Sequence, residues 1–198
     1  VKPGAFSPCI PAQFLPPDGP ITALQDLLRT TEKGLYCEAG DFYIDPWLPV
    51  SRALITHAHG DHAHWGSSSY LSSIEGERVL RTRLPGANIS TVAWGETKTI
   101  NGVHVSFHPA GHILGSAQIR VEHRGETWVV SGDYKTDPDP TCTPFEPVKC
   151  DVFITESTFG LPVYRWSNQS ETFAEISRWW RSNLEQGRSS IIFAYALG

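Results

Sequence analysis

The chain has 198 residues, 40% of them hydrophobic, which is enough for one globular domain with its own core. Its formal net charge of −5 argues against binding of nucleic acid by bulk positive charge alone. A nuclease stays compatible with this charge, because bound divalent cations would offset local carboxylates. Four cysteines without a C-x-x-C pair, and no apolar run long enough to cross a bilayer, predict a soluble, cytoplasmic protein with reduced thiols.

The first predicted elements are strands that follow an irregular N-terminal arm. Residues 1–23 form this arm, because Pro and Gly are frequent there. From Leu27 to Trp47 the pattern is strand-like, and Phe42–Asp45 predicts a short strand that Pro46 closes. The apolar run Ala53–Ile55 predicts a strand that is buried.

The middle of the chain predicts one helix and then a series of strands. Ser72–Glu75 resembles a capping box that opens a helix, which Pro85-Gly86 would stop. Residues 91–107 alternate apolar and polar side chains, and Asn101-Gly102 is a strong signal for a hairpin turn. Three further strands are predicted at Gln118–Glu122, Thr127–Val130 and Val152–Ile154.

The last predicted element is a helix over Ser170–Gln186, with Gly187 at the position of a C-terminal cap. One face of this helix is apolar and predicts packing against the core rather than a binding surface. The residues of that stripe are Phe173, Ile176, Trp180 and Leu184. Strands followed by mixed elements predict a layered α/β domain without an internal repeat.

The segment 56–66 contains the densest group of candidate metal ligands. His57 and His59 alternate along a tight stretch and could direct two imidazoles to one ion, and Asp61 with His62 could serve a second ion nearby. Imidazole and carboxylate without thiolate favour zinc, manganese or iron in a hydrolytic site. A surface loop that binds metal incidentally is the alternative, but the segment directly follows a predicted buried strand.

Three other predicted strands are each followed by a candidate ligand. His112 comes after the strand that ends near Phe107, Asp133 follows Val130, and Glu156 follows Ile154. With the His-rich segment, these positions predict one site at one edge of a sheet. Turn-forming roles for His112 and Asp133, and a solvated carboxylate at Glu156, are the alternatives. Structural or exposed roles are expected for His64, His104, His108 and His123.

The order of these motifs resembles the metallo-β-lactamase superfamily. The motifs are H-x-H-x-D-H at 57–62, A-G-H-x-L-G-S-A at 110–117 and S-G-D-Y at 131–134. The segment 155–160 resembles the β-CASP nuclease branch of that superfamily. Residues 34–46 and 159–166 look most like bacterial ligase-associated DNA exonucleases, which are similar to the cross-link repair nucleases and to Artemis.

The resemblance implies a role for each candidate residue. His57, His59 and His112 would hold one divalent ion, Asp61 and His62 a second, and Asp133 would bridge the pair. The expected ions are zinc or manganese, which would activate water and stabilise both the attacking and the leaving oxygen of a phosphodiester. Asp61 could also orient the attacking group, and Glu156 matches the first acidic motif of the β-CASP branch. Asp45 would support the His-rich loop, with a simple turn-forming role beside Pro46 as the alternative.

The chain also departs from the family pattern. The resemblance implies a metallo-β-lactamase-type αβ/βα sandwich over 24–160 and the start of a β-CASP-type region at 161–198. The family continues with a further histidine for the second ion, whereas no histidine follows His123 here. We therefore expect an incomplete sandwich, an under-coordinated second metal site, exposed apolar surface near 165–198 and a tendency to form homodimers.

The expected function is that of a metal-dependent phosphodiesterase, in particular a DNA exonuclease in DNA repair or end processing. An RNA-processing β-CASP nuclease is the nearest alternative, because the sequence does not discriminate DNA from RNA. Two alternatives remain. One is another hydrolase of the metallo-β-lactamase fold, and the other is a truncated and inactive metal-binding fragment. The expected partner is DNA or RNA, and no membrane association is expected.

Overall fold

The computed structural model describes residues 26–194, so the predicted arm at 1–23 lies outside the described part of the chain. The first half of this range forms strands β1 Arg29–Thr31, β2 Gly34–Cys37, β3 Phe42–Ile44, β4 Ala53–Leu54 and β5 Tyr70–Ser73, helix α1 Glu77–Arg83 and strand β6 Ile89–Val92. The second half forms strands β7 Lys98–Ile100, β8 Val103–Pro109, β9 Ala117–His123, β10 Glu126–Val130 and β11 Val152–Ile154, followed by helix α2 Gln169–Glu185.

The strands form two sheets. The first has the order β1-β2-β3-β4-β5-β6 and is parallel from β3 onward. The second has the order β11-β10-β9-β8-β7 and is antiparallel except for the pair of β10 and β11. Parallel neighbours end at the same edge, so the segments that follow β3 and β4 lie together, as do those that follow β10 and β11.

The main core lies between the two sheets. Leu54 and Phe42 from the first sheet pack in one cluster with Phe107, Ile119 and Val121 from the second, and all five are buried. A smaller cluster joins α1 to the other face of the first sheet. Its members include Leu80 of α1 and Leu84 directly after it, Ala53 and Tyr70 of the sheet, and Ile55 directly after β4. The layered α/β architecture is therefore confirmed, with two facing sheets and α1 outside the first.

The predicted turns are largely confirmed. Asn101 and Gly102 have φ angles of 48° and 83° and connect β7 to β8, as the hairpin signal predicts. Gly187 has a φ of 68° directly after α2, which is the left-handed conformation expected of a helix C-terminal glycine.

The capping-box prediction at Ser72–Glu75 is wrong. Ser72 and Ser73 belong to β5, and α1 begins at Glu77 after Gly76, which has no side-chain cap. Parallel pairing with β6 extends β5 through Ser73. The Ser73 hydroxyl joins two loops instead, because it donates to the Gly115 carbonyl at 2.6 Å and accepts the Gly76 N–H at 3.0 Å.

The packing prediction for α2 is also wrong. All four residues of its apolar stripe are exposed, with Trp180 at 61% and Leu184 at 73%, and α2 has no buried residue. The helical period creates the stripe, but the described part of the chain presents no surface that covers it. The expectation of exposed apolar surface near 165–198 is therefore confirmed for the described residues, and the sandwich is incomplete there.

The division into a domain at 24–160 and a second region at 161–198 stays a prediction. Among residues 26–194, neither helix combines the length and the apolar character that a bilayer crossing requires.

Candidate metal centre

The candidate ligands lie at one edge of the two sheets. The His-rich loop leaves β4, while Asp133 and Glu156 leave the parallel strands β10 and β11. The connection between β8 and β9 carries His112 to the same edge, where the Ala117 N–H donates to the Thr56 carbonyl at 2.8 Å and joins the two sheets. The structure therefore confirms the prediction that these loops lie together at one edge.

Three imidazoles converge on one point of this edge. The Nδ1 atom of His59 lies 2.9 Å from Nε2 of His57 and 3.2 Å from Nε2 of His112. The carboxylate of Asp133 approaches the same point, with Oδ2 at 3.8 Å from Nε2 of His57 and at 3.7 Å from Nε2 of His112. All four ligand atoms lie within 4.8 Å of one another.

This cluster fits a divalent cation with nitrogen and oxygen ligands. Tetrahedral zinc, with Zn–N bonds of about 2.0–2.1 Å, would place its ligand nitrogens roughly 3.3 Å apart, close to the spacing of these imidazoles. Burial also lowers the pKa of His57 and of His112, which keeps both rings neutral and able to donate a lone pair to a metal.

His62 lies beside this cluster, between carboxylates on either side of its ring. Its Nδ1 atom is 2.7 Å from Oδ2 of Asp45, and its Nε2 atom is 3.3 Å from Oδ1 of Asp133. Burial alone would lower the pKa of His62, but the hydrogen bonds to Asp133 and Asp45 outweigh burial and raise the pKa to about 10. The same contact with His62 holds the pKa of Asp133 below its usual value.

Asp61 completes the group that the sequence predicts for a second ion, although more loosely. Its Oδ2 atom is 3.9 Å from Nε2 of His62, and its side chain is 79% exposed. Among the described residues, one tight cluster of metal-ligating atoms exists, and neither Asp61 nor His62 belongs to it. The first predicted ligand set is therefore assembled together with Asp133, whereas the second is open toward solvent.

Asp45 fixes the base of the His-rich loop. Its carboxylate accepts hydrogen bonds from the Thr56 N–H at 2.8 Å, the Thr56 hydroxyl at 2.5 Å and the Nδ1–H of His62. Asp45 adopts a φ of 43°, a left-handed conformation that aspartate tolerates better than most residues. Because Nδ1 of His62 is used as a donor, Nε2 is left to face Asp133 and Asp61.

The sequence does not predict the roles of two residues of the site, Thr56 and Ser116. Thr56 links Asp45 to the loop, and Gly132 is packed against it so closely that an added Cβ would lie 2.6 Å from the Thr56 Cβ. Ser116 organises the His112 loop, because its hydroxyl accepts the N–H groups of His112 and Ile113 at 3.0 and 3.1 Å. Both residues lie inside or beside the quoted motifs, but their residue types alone do not reveal these contacts.

Glu156 lines an open groove beside the cluster. The groove has a volume of about 290 Å³. Its polar side is formed by Asp45, Asp61, His62, Asp133 and Glu156. The Glu156 carboxylate accepts the Thr158 N–H at 2.6 Å and is close enough to His112 to influence its pKa. A cavity of about 360 Å³ beside His108 and Arg120 contains none of the predicted ligands.

The other histidines have separate partners. His64 contacts the Asp61 carbonyl, His104 contacts Thr99, and His108 contacts Ser106. The ring of His123 faces the Gly102 carbonyl. Among the described residues, none of these four histidines belongs to the cluster of metal-ligating atoms.

Comparison with known proteins gives relatives of two kinds. No family model matches the chain. The chain is 30% identical over 169 residues to a probable DNA ligase of Opitutus terrae, which covers 83% of the chain and 16% of the relative. It is also 30% identical over 167 residues to cleavage and polyadenylation specificity factor 73 of Drosophila melanogaster, covering 77% of the chain and 24% of the relative. The chain thus spans a quarter or less of these relatives.

Shorter and more distant likenesses accompany them. Endoribonuclease ysh1 of Emericella nidulans is 40% identical over 77 residues, 37% of the chain and 9% of that protein. Among solved structures, a metallo-β-lactamase mutant of Cronobacter sakazakii has a TM-score of 0.40 at 17% identity and covers 57% of each chain.

The sequence relatives decide the family. An alignment that covers 83% of the 198 residues in one span includes the stretch from His57 to Glu156, which holds all the candidate metal ligands. The chain belongs to the metallo-β-lactamase superfamily, in its β-CASP nuclease branch.

Proposed function

We propose that this protein is a metal-dependent phosphodiesterase that cleaves nucleic acid, acting as a DNA exonuclease in repair or end processing. The convergence of three imidazole nitrogens and the Asp133 carboxylate, beside an open groove, is the observation that carries the proposal. A structural zinc site would be closed and rich in cysteine, whereas this cluster has no thiolate and its Asp133 lines the groove.

Each residue has a role in this proposal. His57, His59 and His112 hold one divalent ion, and Asp133 lies where its two oxygens face this cluster on one side and His62 on the other. His62 and Asp61 contribute to a second ion, whose set of ligands is smaller. When bound, the ions supply Lewis-acid activation of water and of the phosphodiester oxygens near neutral pH.

The other carboxylates position the reacting groups. Asp61 is exposed on the groove side of His62, where its carboxylate can accept a hydrogen bond from the attacking water and orient it toward phosphorus. Glu156 lines the same groove, where it matches the first acidic motif of the β-CASP branch. Asp45 touches no substrate, and it acts by holding His62 and Thr56 in place.

DNA is the proposed substrate, and RNA is the second candidate. A relative that covers 83% of the chain is named as a probable DNA ligase, and the segments at 34–46 and 159–166 resemble ligase-associated DNA exonucleases. The second relative, by contrast, is named for cleavage and polyadenylation, and the ysh1 proteins are named as endoribonucleases.

End-labelled substrates test the proposal. Protein loaded with Zn²⁺ or Mn²⁺ should shorten single- or double-stranded DNA one nucleotide at a time, and faster than RNA of the same sequence. Asp61→Asn should lower the rate at least about a hundredfold, because it removes the carboxylate that orients water. Glu171→Gln, an exposed carboxylate on α2, is the matched control and should be fully active.

The outcomes separate the candidates. Faster cleavage of RNA would replace the DNA assignment by the RNA-processing alternative. Intact DNA and RNA in both metal-loaded forms would contradict the phosphodiesterase itself, as would a cleavage rate that Asp61→Asn leaves unchanged.

A further inference from the structure

Trp47 is a large aromatic side chain on the wall of the groove beside the metal-ligand cluster, whose Asp133 also lines this groove. It follows β3 by three positions and lines the groove together with Asp61, His62 and Glu156. Half of its surface is exposed to solvent, at 50%. Core packing alone does not account for this exposure, because a tryptophan that only filled the core would bury both faces of its indole.

The indole is nevertheless held in a fixed position. Its Nε1–H donates to the Glu32 carbonyl at 2.5 Å, and its backbone N–H donates to the Lys33 carbonyl at 3.0 Å. The preceding residues are Pro46, whose ring fixes φ, and Asp45, whose carboxylate is bound by the His-rich loop. The backbone that carries the indole is thus held two residues away by Asp45, which also supports the His-rich loop.

The lining of the groove combines two kinds of side chain. It includes several carboxylates with the imidazole of His62, and it includes apolar side chains, among them Trp47, Leu35 and Ile44. A ligand that fits both kinds carries a phosphate for the bound metal and a flat, apolar ring for the indole, which describes one nucleotide unit. Lys33 is exposed on the turn that anchors Trp47, and it could contact a neighbouring phosphate of the same strand.

We propose that Trp47 is the stacking platform for the nucleobase next to the scissile phosphate. The inference rests on the proposed function, and it adds where the base is bound and that any base should be accepted there. Every base presents a π face, so stacking on an indole positions the nucleotide without reading its identity. A rigid platform also costs little conformational entropy when the strand binds.

A purely structural role for Trp47 predicts a different result. In that case the indole only covers the turn at Glu32–Lys33, and its replacement would lower the melting temperature without changing substrate affinity. Substitutions that retain or remove the ring, combined with substrates that retain or remove the base, separate the two roles.

The experiment compares Trp47→Phe and Trp47→Leu with wild type on two single-stranded oligonucleotides. One carries a normal base at the nucleotide to be removed, and the other is abasic there. With the base present, Trp47→Leu should raise KM roughly 5- to 150-fold, whereas Trp47→Phe keeps a ring and should stay closer to wild type. On the abasic strand the three proteins should share one KM. Trp180→Leu, an exposed indole outside the groove, should match wild type on both strands.

A binding measurement gives a readout that does not depend on turnover. Quenching of 2-aminopurine at the strand end by chelator-treated protein reports stacking directly, and Trp47→Leu should lose this quenching. Unchanged quenching, or a KM for Trp47→Leu equal to wild type on the base-bearing strand, would overturn the inference and leave the proposed nuclease activity standing. Failure of wild type to cleave any strand would instead overturn the proposed function, and the quenching result would still decide the stacking.

Discussion

At the scale of single residues, the hydrogen bonds around the imidazoles decide which nitrogen atom each ring presents to a metal. Asp45 accepts the Nδ1–H of His62, so that Nε2 of the same ring faces Asp133. The metal ligands His57, His59 and His112 could be predicted from the sequence, because histidines at this spacing after buried strands are specific for a metal site. Thr56 and Ser116 could not, because hydroxyl residues near a motif have many ordinary roles and only the folded loops bring them to their partners.

Asp45→Asn tests the support of His62. The amide would exchange an acceptor oxygen for an N–H₂ group, so His62 would lose its charge-assisted partner and its fixed orientation. We expect the second metal ion to bind about 10- to 100-fold more weakly, with the first ion retained, in calorimetric titrations with Zn²⁺ or Mn²⁺. Asp41→Asn is the control, because Asp41 has a similar φ of 50° and lies outside the groove. Equal affinities in Asp45→Asn and wild type would contradict the role of Asp45.

Gly132→Ala tests the close approach to Thr56. At a φ of 56°, the new methyl group would lie 2.6 Å from the Thr56 Cβ, so the loop that carries Asp133 must shift. The variant should lose about 1–3 kcal/mol more unfolding free energy than Gly102→Ala in urea titrations. Gly102 also has a positive φ, of 83°, but an added Cβ would meet open space there. Equal losses in the two variants would show that the contact with Thr56 is unimportant.

At the scale of elements, local sequence signals predicted the structure correctly where contacts between neighbouring residues determine it. The Asn101-Gly102 hairpin and the Gly187 helix end agree with the structure because each depends on the φ angle of one or two residues. The Ser72–Glu75 helix start was wrong because pairing of β5 with β6 is a long-range contact that overrides a short capping pattern. The same limit applies to α2, whose apolar period is visible in the sequence while its packing partner is not.

Phe107 and Phe173 provide a direct test of where the core lies. Phe107 on β8 is fully buried between the sheets, and Phe173 on α2 is exposed. Phe107→Ala should lower the unfolding free energy by about 3–5 kcal/mol, because it leaves a cavity, whereas Phe173→Ala should stay within about 0.5 kcal/mol. Chemical denaturation of the two variants measures this difference. A large loss in Phe173→Ala would mean that α2 is packed in solution.

At the scale of the whole molecule, two packed sheets carry a site at one edge, and within residues 26–194 the apolar stripe of α2 is exposed. Trp166, Trp180 and Leu184 are each more than half exposed, and exposed apolar patches of this kind favour association. The resemblance to a larger family predicted this exposure, because the family continues beyond the segments matched here. The sequence could not predict which surface covers α2.

Self-association through α2 is therefore the prediction at this scale. Light scattering at micromolar concentration should give a mass above 21.9 kDa that falls on dilution. The double variant Trp180→Lys and Leu184→Glu should be monomeric, whereas the matched change Arg178→Lys on the same helix should not alter the mass. A wild-type protein that is monomeric at all concentrations would contradict this prediction.

The metal content of the purified chain tests the central claim most directly. The convergence of His57, His59 and His112 with Asp133 predicts at least one tightly bound zinc or manganese ion per chain after dialysis, measured by inductively coupled plasma mass spectrometry. His59→Leu removes the nitrogen atom that lies within 3.2 Å of both other imidazoles, and it should reduce the content to well below one ion. Wild-type protein without bound metal after loading, or His59→Leu protein with the same content, would contradict the account.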